Sequence, residues 1–335
     1  MTFAPFDIHF DSPQLTDAEQ ADHEAFEWWY FDCQTEDGIS MVILFSLRNP
    51  VFVTQKPSVY IEFADGKQSF HHVRNYPSAS FSWEEAPGMC TMRIGEGNYL
   101  RLVGASPAEL TYEITLALPW ITATLNARPA HRGFVPGDRG CYFRDRHDPQ
   151  RRTCVSFSAP VMSVTGEVTI AGRTRTVAGK GYHDHPWGTA QLFYTHQEWN
   201  WGRVSNASTS FMFADVRPAG AFDGTLRFMY QGTTGSFEPA VTDDLHISVS
   251  DWRKDSVVGI RFPHQLDVSS GGASWTAQLG ACMLDTPVYN RATTTWTPGN
   301  GWIEYFHLRS WLSRAAFAGG RMLLFFWRPF PFFGR

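Results

Sequence analysis

Apolar and polar residues alternate with a period of two along most of the chain, in short runs broken by Gly, Pro, Asn and Asp. The pattern predicts strands at 27–33, 40–47, 58–63, 91–94, 99–103, 110–118 and 121–127. It resumes at 154–158, 166–170, 174–178, 191–198, 209–216, 225–230, 246–251, 257–262, 274–279 and 301–308. Turn chemistry separates these runs. Gly95-Glu96-Gly97-Asn98 and Ala171-Gly172 read as tight hairpins, and Pro119 ends one strand and begins the next. Thr16-Asp17-Ala18-Glu19 has the spacing of a capping box and predicts a short helix over 17–25.

Between 128 and 152 the alternation lapses into Pro129, Pro136, Pro149 and several Gly, with many Arg and Asp and few aliphatics, which reads as a long loop or a crossing between domains. With no repeat of fixed period, a propeller is disfavoured. The economical fold is all-β: two antiparallel barrel or sandwich units packed together, at 1–150 and 151–335. The tail changes character once more. After Glu304 it has no acidic residue, and Arg309, Arg314, Arg321, Arg328 and Arg335 interleave with Trp and Phe. Such a segment is either a final element packed on its barrel or an interfacial contact with a membrane.

Composition narrows the function. The 335 residues include 27 Phe, 13 Trp and 11 Tyr, which suits β-strands around a lipophilic small-molecule pocket. A net charge of −5 without a Lys/Arg cluster gives no footprint for nucleic acid. The five cysteines are scattered, none in a C-x-x-C pair, which argues against a structural zinc site and against a disulfide scaffold. The opening residues have no basic and then apolar stretch, and no apolar run reaches 18 residues, so the expectation is a cytoplasmic protein, with membrane association through the tail.

Candidate chemistry gathers in three places. In Glu27-Trp28-Trp29-Tyr30-Phe31-Asp32 a strand places Glu27, Trp29 and Phe31 on one side and Trp28, Tyr30 and Asp32 on the other. Glu27 beside Trp29 is either a partly desolvated proton donor or a carboxylate bonded to backbone or Arg. In Gly181-Tyr182-His183-Asp184-His185-Pro186-Trp187-Gly188 the two histidines point the same way. They ligate a metal with His196 or Asp215 as a third partner, or they sit in a polar network in which Asp184 fixes a tautomer. The third place runs from Trp199-Asn200-Trp201 to Phe211-Met212-Phe213-Ala214-Asp215. A carboxylate in an apolar strand either caps its end or, held neutral, protonates an alkene while Trp187 and Trp199 stabilise the cation through their π-faces.

The Phe26-Glu27-Trp28-Trp29-Tyr30-Phe31-Asp32 motif, the Gly181-to-Gly188 motif and Gly301-Trp302-Ile303-Glu304-Tyr305 resemble the carotenoid 1,2-hydratase (hydroxyneurosporene synthase) family. That superfamily includes AttH-like proteins and lipocalin-like Diels–Alderases. The resemblance implies two lipocalin-like domains with a ligand pocket where they meet, and cofactor-free, metal-free work on lipophilic polyenes by alkene hydration or cycloaddition. His185-Pro186-Trp187 fits the family's functional His-x-Trp. Phe213-Ala214-Asp215 fits its Tyr-x-Asp only in part, since Phe213 replaces the Tyr. The combined expectation is a cyclase or isomerase, or a hydratase, of a polyene, terpenoid or polyketide. Asp215, His185, His183 and Asp184 would be catalytic, and Glu27, Trp29, Tyr182, Trp187, Trp199, Trp201 and Phe213 would line the substrate. The competing reading is a non-catalytic lipocalin-like carrier of a hydrophobic metabolite or pigment.

Overall fold

The computed structural model describes residues 1–48, 56–65, 69–205, 208–254, 261–285, 289–296 and 300–307. The basic aromatic tail from 308 to 335, and most of the run 257–262, lie outside these residues. Within them the chain is all-β and antiparallel, and it divides into two compact units. The first comprises Phe3–Cys141 and Thr153–Gln191; the second comprises Met1–Thr2, Tyr142–Arg152 and the described residues from 192 onward.

The sheet of the first unit runs in the order Ser69–Asn75, Ser58–Ala64, Ser40–Arg48, Phe26–Thr35, Arg173–Gly188, Arg152–Ile170, Ile121–Pro129, Thr111–Leu118, Tyr99–Val103, Met89–Ile94 and Phe81–Ala86. Most neighbours are joined by hairpins, as the turn residues predict. Gly95 and Gly97 take φ of 66° and 78°, values a side chain disfavours, which lets Arg93 and Tyr99 face each other across the turn. The sheet curls. Trp83 of the last strand stacks on Trp29 of the Phe26–Thr35 strand with ring centroids 6.1 Å apart, so distant positions in the order enclose one core. That core takes Trp29, Phe31 and Cys33 from one face of the strand, as the alternation requires. It also takes Phe6, Phe10 and Leu15, so the N-terminal segment fills the inside of the curl. A small void lined by Phe31, Met41, Ile43, Ile114, Leu125 and Met162 measures about 10 Å³, room for one water.

In the second unit a nine-stranded sheet runs Ala240–Thr242, Leu226–Thr233, Thr209–Pro218, His196–Ser205, Asn300–His307, Tyr289–Trp296, Ala273–Asp285, Arg261–Ser270 and His246–Lys254. Val204, Phe211, Phe213, Met229, Leu245, Leu266, Val268 and Ala277 form its core.

Several local expectations need correction. The capping box is present, with Thr16 accepting from the Glu19 N–H, but the helix is the single turn Asp17–Gln20, too short to persist without packing. Within 128–152 lie two short strands, Phe134–Pro136 and Cys141–Asp145. A disulfide joins Cys141 to Cys154, which the scattered cysteine spacing gave no reason to expect. The runs 154–158 and 166–170 are parts of one strand, Arg152–Ile170, in which register shifts near Ser156, Ala159 and Met162 absorb the irregular sequence. The run at 191–198 begins as the helical turn Leu192–Thr195. Strands Ser69–Asn75 and Phe81–Ala86 were not anticipated, because their residues are mostly half-exposed and alternate weakly.

Candidate functional site

The motif Tyr182-His183-Asp184-His185 lies on the Arg173–Gly188 strand, so its side chains alternate between two faces. The histidines point into the core. His183 Nδ1 donates to the Tyr30 carbonyl at 2.8 Å, and its Nε2 lies 3.2 Å from Asp11 Oδ1. The ring stacks on Phe31 at 4.0 Å and meets the edge of Tyr112 at 4.8 Å. His185 repeats the arrangement: Nδ1 donates to the Phe10 carbonyl at 2.6 Å, and Nε2 lies 3.0 Å from Glu27 Oε1. Its ring stacks on Trp29 at 4.3 Å. Asp11, Glu27, His183 and His185 are all fully buried.

Carbonyl oxygens only accept, so each Nδ1 carries a proton, and each Nε2 shares a proton with a carboxylate. The result is two imidazole–carboxylate pairs, in which each buried acid has a hydrogen-bonded partner. Asp11 receives further bonds from Tyr112 Oη at 2.6 Å and Ser158 Oγ at 2.5 Å. Burial pushes the Asp11 carboxyl up, but the charge and hydrogen bond of His183, with Ser158, hold it below the ordinary range. Burial and the adjacent Asp11 push the Tyr112 phenol well above its usual value. Glu27 accepts from Gln14 N at 2.6 Å and Leu15 N at 3.4 Å, and Trp29 Nε1 donates to the Asp11 carbonyl at 2.8 Å. The N-terminal segment is thereby tied to both motifs. Asp7 starts this local structure: its side chain caps the turn Ile8–Asp11, which turns Phe10 and Asp11 inward.

The opposite face of the same strands carries phenols and carboxylates. Register places Asp184 across from Tyr30 and Tyr182 across from Asp32, so acids and phenols alternate around a square. Tyr182 donates to Asp184 Oδ2 at 2.5 Å, and Tyr30 to Asp32 Oδ2 at 3.4 Å. Two strands further on, Tyr60 donates to Glu62 Oε2 at 3.1 Å. Each pair has the spacing Tyr-x-acid, which in a strand puts both side chains on one face. Tyr182 and Asp32 are buried and Asp184 is half-buried. Burial, with Asp184, Tyr30 and Asp32 nearby, pushes the Tyr182 phenol well above its ordinary value.

A match of the AttH-like family model covers residues 97–294. The chain belongs to the AttH-like family. A hydroxyneurosporene dehydrogenase of Chlorobaculum tepidum is 25% identical over 220 residues, covering 54% of this AttH-like chain and 53% of that protein. The chain thus spans about half the length of the curated relative it matches. Among solved structures, CghA with bound Sch210972 shares 12% identity at a TM-score of 0.59, over 91% of this chain and 98% of that one. Kievitone hydratase from Nectria haematococca shares 12% identity at a TM-score of 0.52, over 88% of this chain and 93% of that one. At these identities the likeness is one of fold.

The first unit of the AttH-like chain thus gathers Glu27, Trp29, Tyr182, His183, Asp184, His185 and Trp187, with Trp187 buried beside His185. Asp184 bonds to Tyr182, where the polar-network reading had it fixing a histidine tautomer. The second unit holds Trp199, Trp201, Phe213 and Asp215. There Asp215 is paired in register with Asn200 and Arg227, and Arg217 Nη2 lies 3.8 Å from its Oδ2. Trp199 and Trp201 pair with Val216 and Ala214, which places them on the face opposite Asp215 and Phe213. His196 is buried and bonds to Tyr142 Oη at 3.0 Å; burial lowers its pKa to about 3. Among the described residues no three His, Cys, Asp or Glu side chains gather as a metal site.

Proposed function

We propose that this AttH-like protein is an enzyme that transfers a proton to an unsaturated, lipophilic small molecule without a cofactor, leading to cyclisation or isomerisation, or to alkene hydration. The observation that carries the reading is the Tyr182–Asp184 pair, a phenol and a carboxyl group 2.5 Å apart on a face with Tyr30 and Asp32. A proton that the half-buried Asp184 carboxylate takes up from solvent, and holds against the Tyr182 hydroxyl in a water-poor setting, is well placed for transfer to an alkene carbon. The cation formed then faces the carboxylate of Asp32 and the rings of Tyr30 and Tyr182, which stabilise positive charge. Loss of a proton back to the pair gives an isomerised or cyclised product. Capture by water, with its extra proton returned to the pair, gives a hydrated one. The half-buried Asp184 is the member of the square with a route outward. Family membership and the fold shared with a hydratase support the reading. Against a carrier of the lipocalin kind, Phe6, Phe10 and Leu15 of the N-terminal segment pack into the core of the first unit among the described residues.

Mass-spectrometric profiles of lipophilic metabolites from the host, with wild-type protein, Asp184→Asn and Asp215→Asn, test this. Asp184→Asn is expected to accumulate a precursor. A missing product heavier by one water identifies hydration, and an isobaric one identifies cyclisation or isomerisation. Loss of conversion in Asp215→Asn alone moves the acid to Asp215. If no compound replaces another in any strain, the enzyme reading fails.

A further inference from the structure

We infer that Asp11, delivered by the N-terminal segment, is a positioning residue for the Tyr182–Asp184 pair, acting through His183 and the backbone of Tyr30; this rests on the function proposed above. The strand ladder thins immediately beyond this place. Register between Arg173–Gly188 and Phe26–Thr35 runs continuously up to Asp184 opposite Tyr30 and resumes only at Trp187 opposite Glu27. Pro186 lies between these positions and has no N–H to donate, so it adds no ladder bond of its own there.

Side chains from the core add to the ladder just before Pro186. His183 Nδ1 donates to the Tyr30 carbonyl at 2.8 Å, and Tyr30 is the residue directly across from Asp184. The orientation of that imidazole is set by its other nitrogen, 3.2 Å from Asp11. Asp11 is in turn fixed by Tyr112 Oη at 2.6 Å and Ser158 Oγ at 2.5 Å, from two further strands. All these side chains are buried, so no water can substitute for a lost bond without rearrangement. One chain of contacts therefore runs from the strands Thr111–Leu118 and Arg152–Ile170, through Asp11 and His183, to the backbone opposite Asp184. A second such link, Glu27 to His185 to the Phe10 carbonyl, fastens the segment that carries Asp11. Asp11 touches no group on the Tyr–carboxylate face itself, and its effect is indirect.

The experiment is proton and nitrogen-15 NMR of full-length wild-type protein, Asp11→Asn and Tyr112→Phe, alongside conversion measured in the host extract. The short Tyr182–Asp184 bond is expected to give a far-downfield hydroxyl resonance, assigned by its loss in Tyr182→Phe. The His183 Nδ1 proton, bonded to the Tyr30 carbonyl, is expected to be visible in wild type. In Asp11→Asn the His183 ring signals should shift and the Tyr182 resonance should shift or broaden. Conversion in the extract should fall about tenfold to a hundredfold, as for a misplaced reacting group. Tyr112→Phe removes one donor to Asp11 with little change of shape, and should show the same changes to a smaller degree even if Asp11→Asn folds poorly. An unmoved Tyr182 resonance in a folded Asp11→Asn, or in Tyr112→Phe if that is the variant that folds, overturns the inference. If the resonance moves while Asp184→Asn converts substrate normally, the positioning stands and the proposed acid falls.

Discussion

At the scale of single residues, burial decides which titratable groups matter. Asp11 keeps its charge in the core only because His183, Tyr112 and Ser158 compensate it. Replacing it with Ala leaves the shared proton of His183 without a partner, and loss of one member of a buried pair costs about 3–5 kcal/mol. The expected outcome is a large drop in the denaturation midpoint at pH 7. The Asp11 carboxyl is depressed in the folded state, so its contribution is complete above the ordinary carboxylate range and is lost as pH falls through the lowered folded value. Asp11→Ala should therefore destabilise less in strong acid than at neutrality. His196 behaves in the opposite chemical sense but with the same sign. Its folded pKa is about 3 because burial disfavours the cation, against 6.5 when unfolded, so between those values the unfolded state binds a proton that the native state refuses. Stability should fall by up to roughly 1.4 kcal/mol per pH unit on acidification across that window. His196→Asn should flatten that part of a stability-against-pH curve.

Among the elements, the Arg173–Gly188 strand does two jobs because of its period of two. One face is clamped to the core by histidines, and the other presents Tyr182 and Asp184. The strand also has to approach its neighbours closely. A Cβ on Gly181 would lie 2.5 Å from the Asp32 carbonyl and 2.6 Å from Val164 Cγ2. Gly181→Ala must push the strand away from Phe26–Thr35 at the residue before Tyr182. Overpacking of this kind costs typically about 1–3 kcal/mol, and it should also shift the Tyr182 hydroxyl resonance. A lower urea midpoint with an unmoved resonance would show that the strain relaxes elsewhere.

For the whole molecule, the Cys141–Cys154 disulfide closes a sequence separation of 13 residues around the stretch 142–153. A loop of this size is stabilised by about 3 kcal/mol in the chain-entropy model, so Cys141→Ser or full reduction should lower the thermal midpoint by several degrees. Mass spectrometry of the alkylated protein should find these two cysteines unmodified unless a reductant is added first. A disulfide persists where surroundings are oxidising, so its state in the cell also bears on the expectation of a cytoplasmic protein. The alternation in 26–32 already told which side chains share a face, since strand geometry repeats every two residues, and Trp29 and Phe31 do lie together in the core. Hairpin glycines, the Pro119 break and the family motifs were legible for the same reason: each is a local rule, complete within a few residues. The partners were not. Asp11 and His183 meet across 172 positions and Ser158 and Asp11 across 147, through a sheet order that no single stretch encodes. Nothing near Asp11 distinguishes it from other acidic residues of the first twenty, and Tyr30-x-Asp32 shows its chemistry only when Tyr182-x-Asp184 is laid beside it. The sequence by itself determined faces, turns and membership of a fold class, because period and turn chemistry act locally. Only the tertiary structure decided which acids are paired, buried or open, because those depend on which distant strands become neighbours and what they exclude from water.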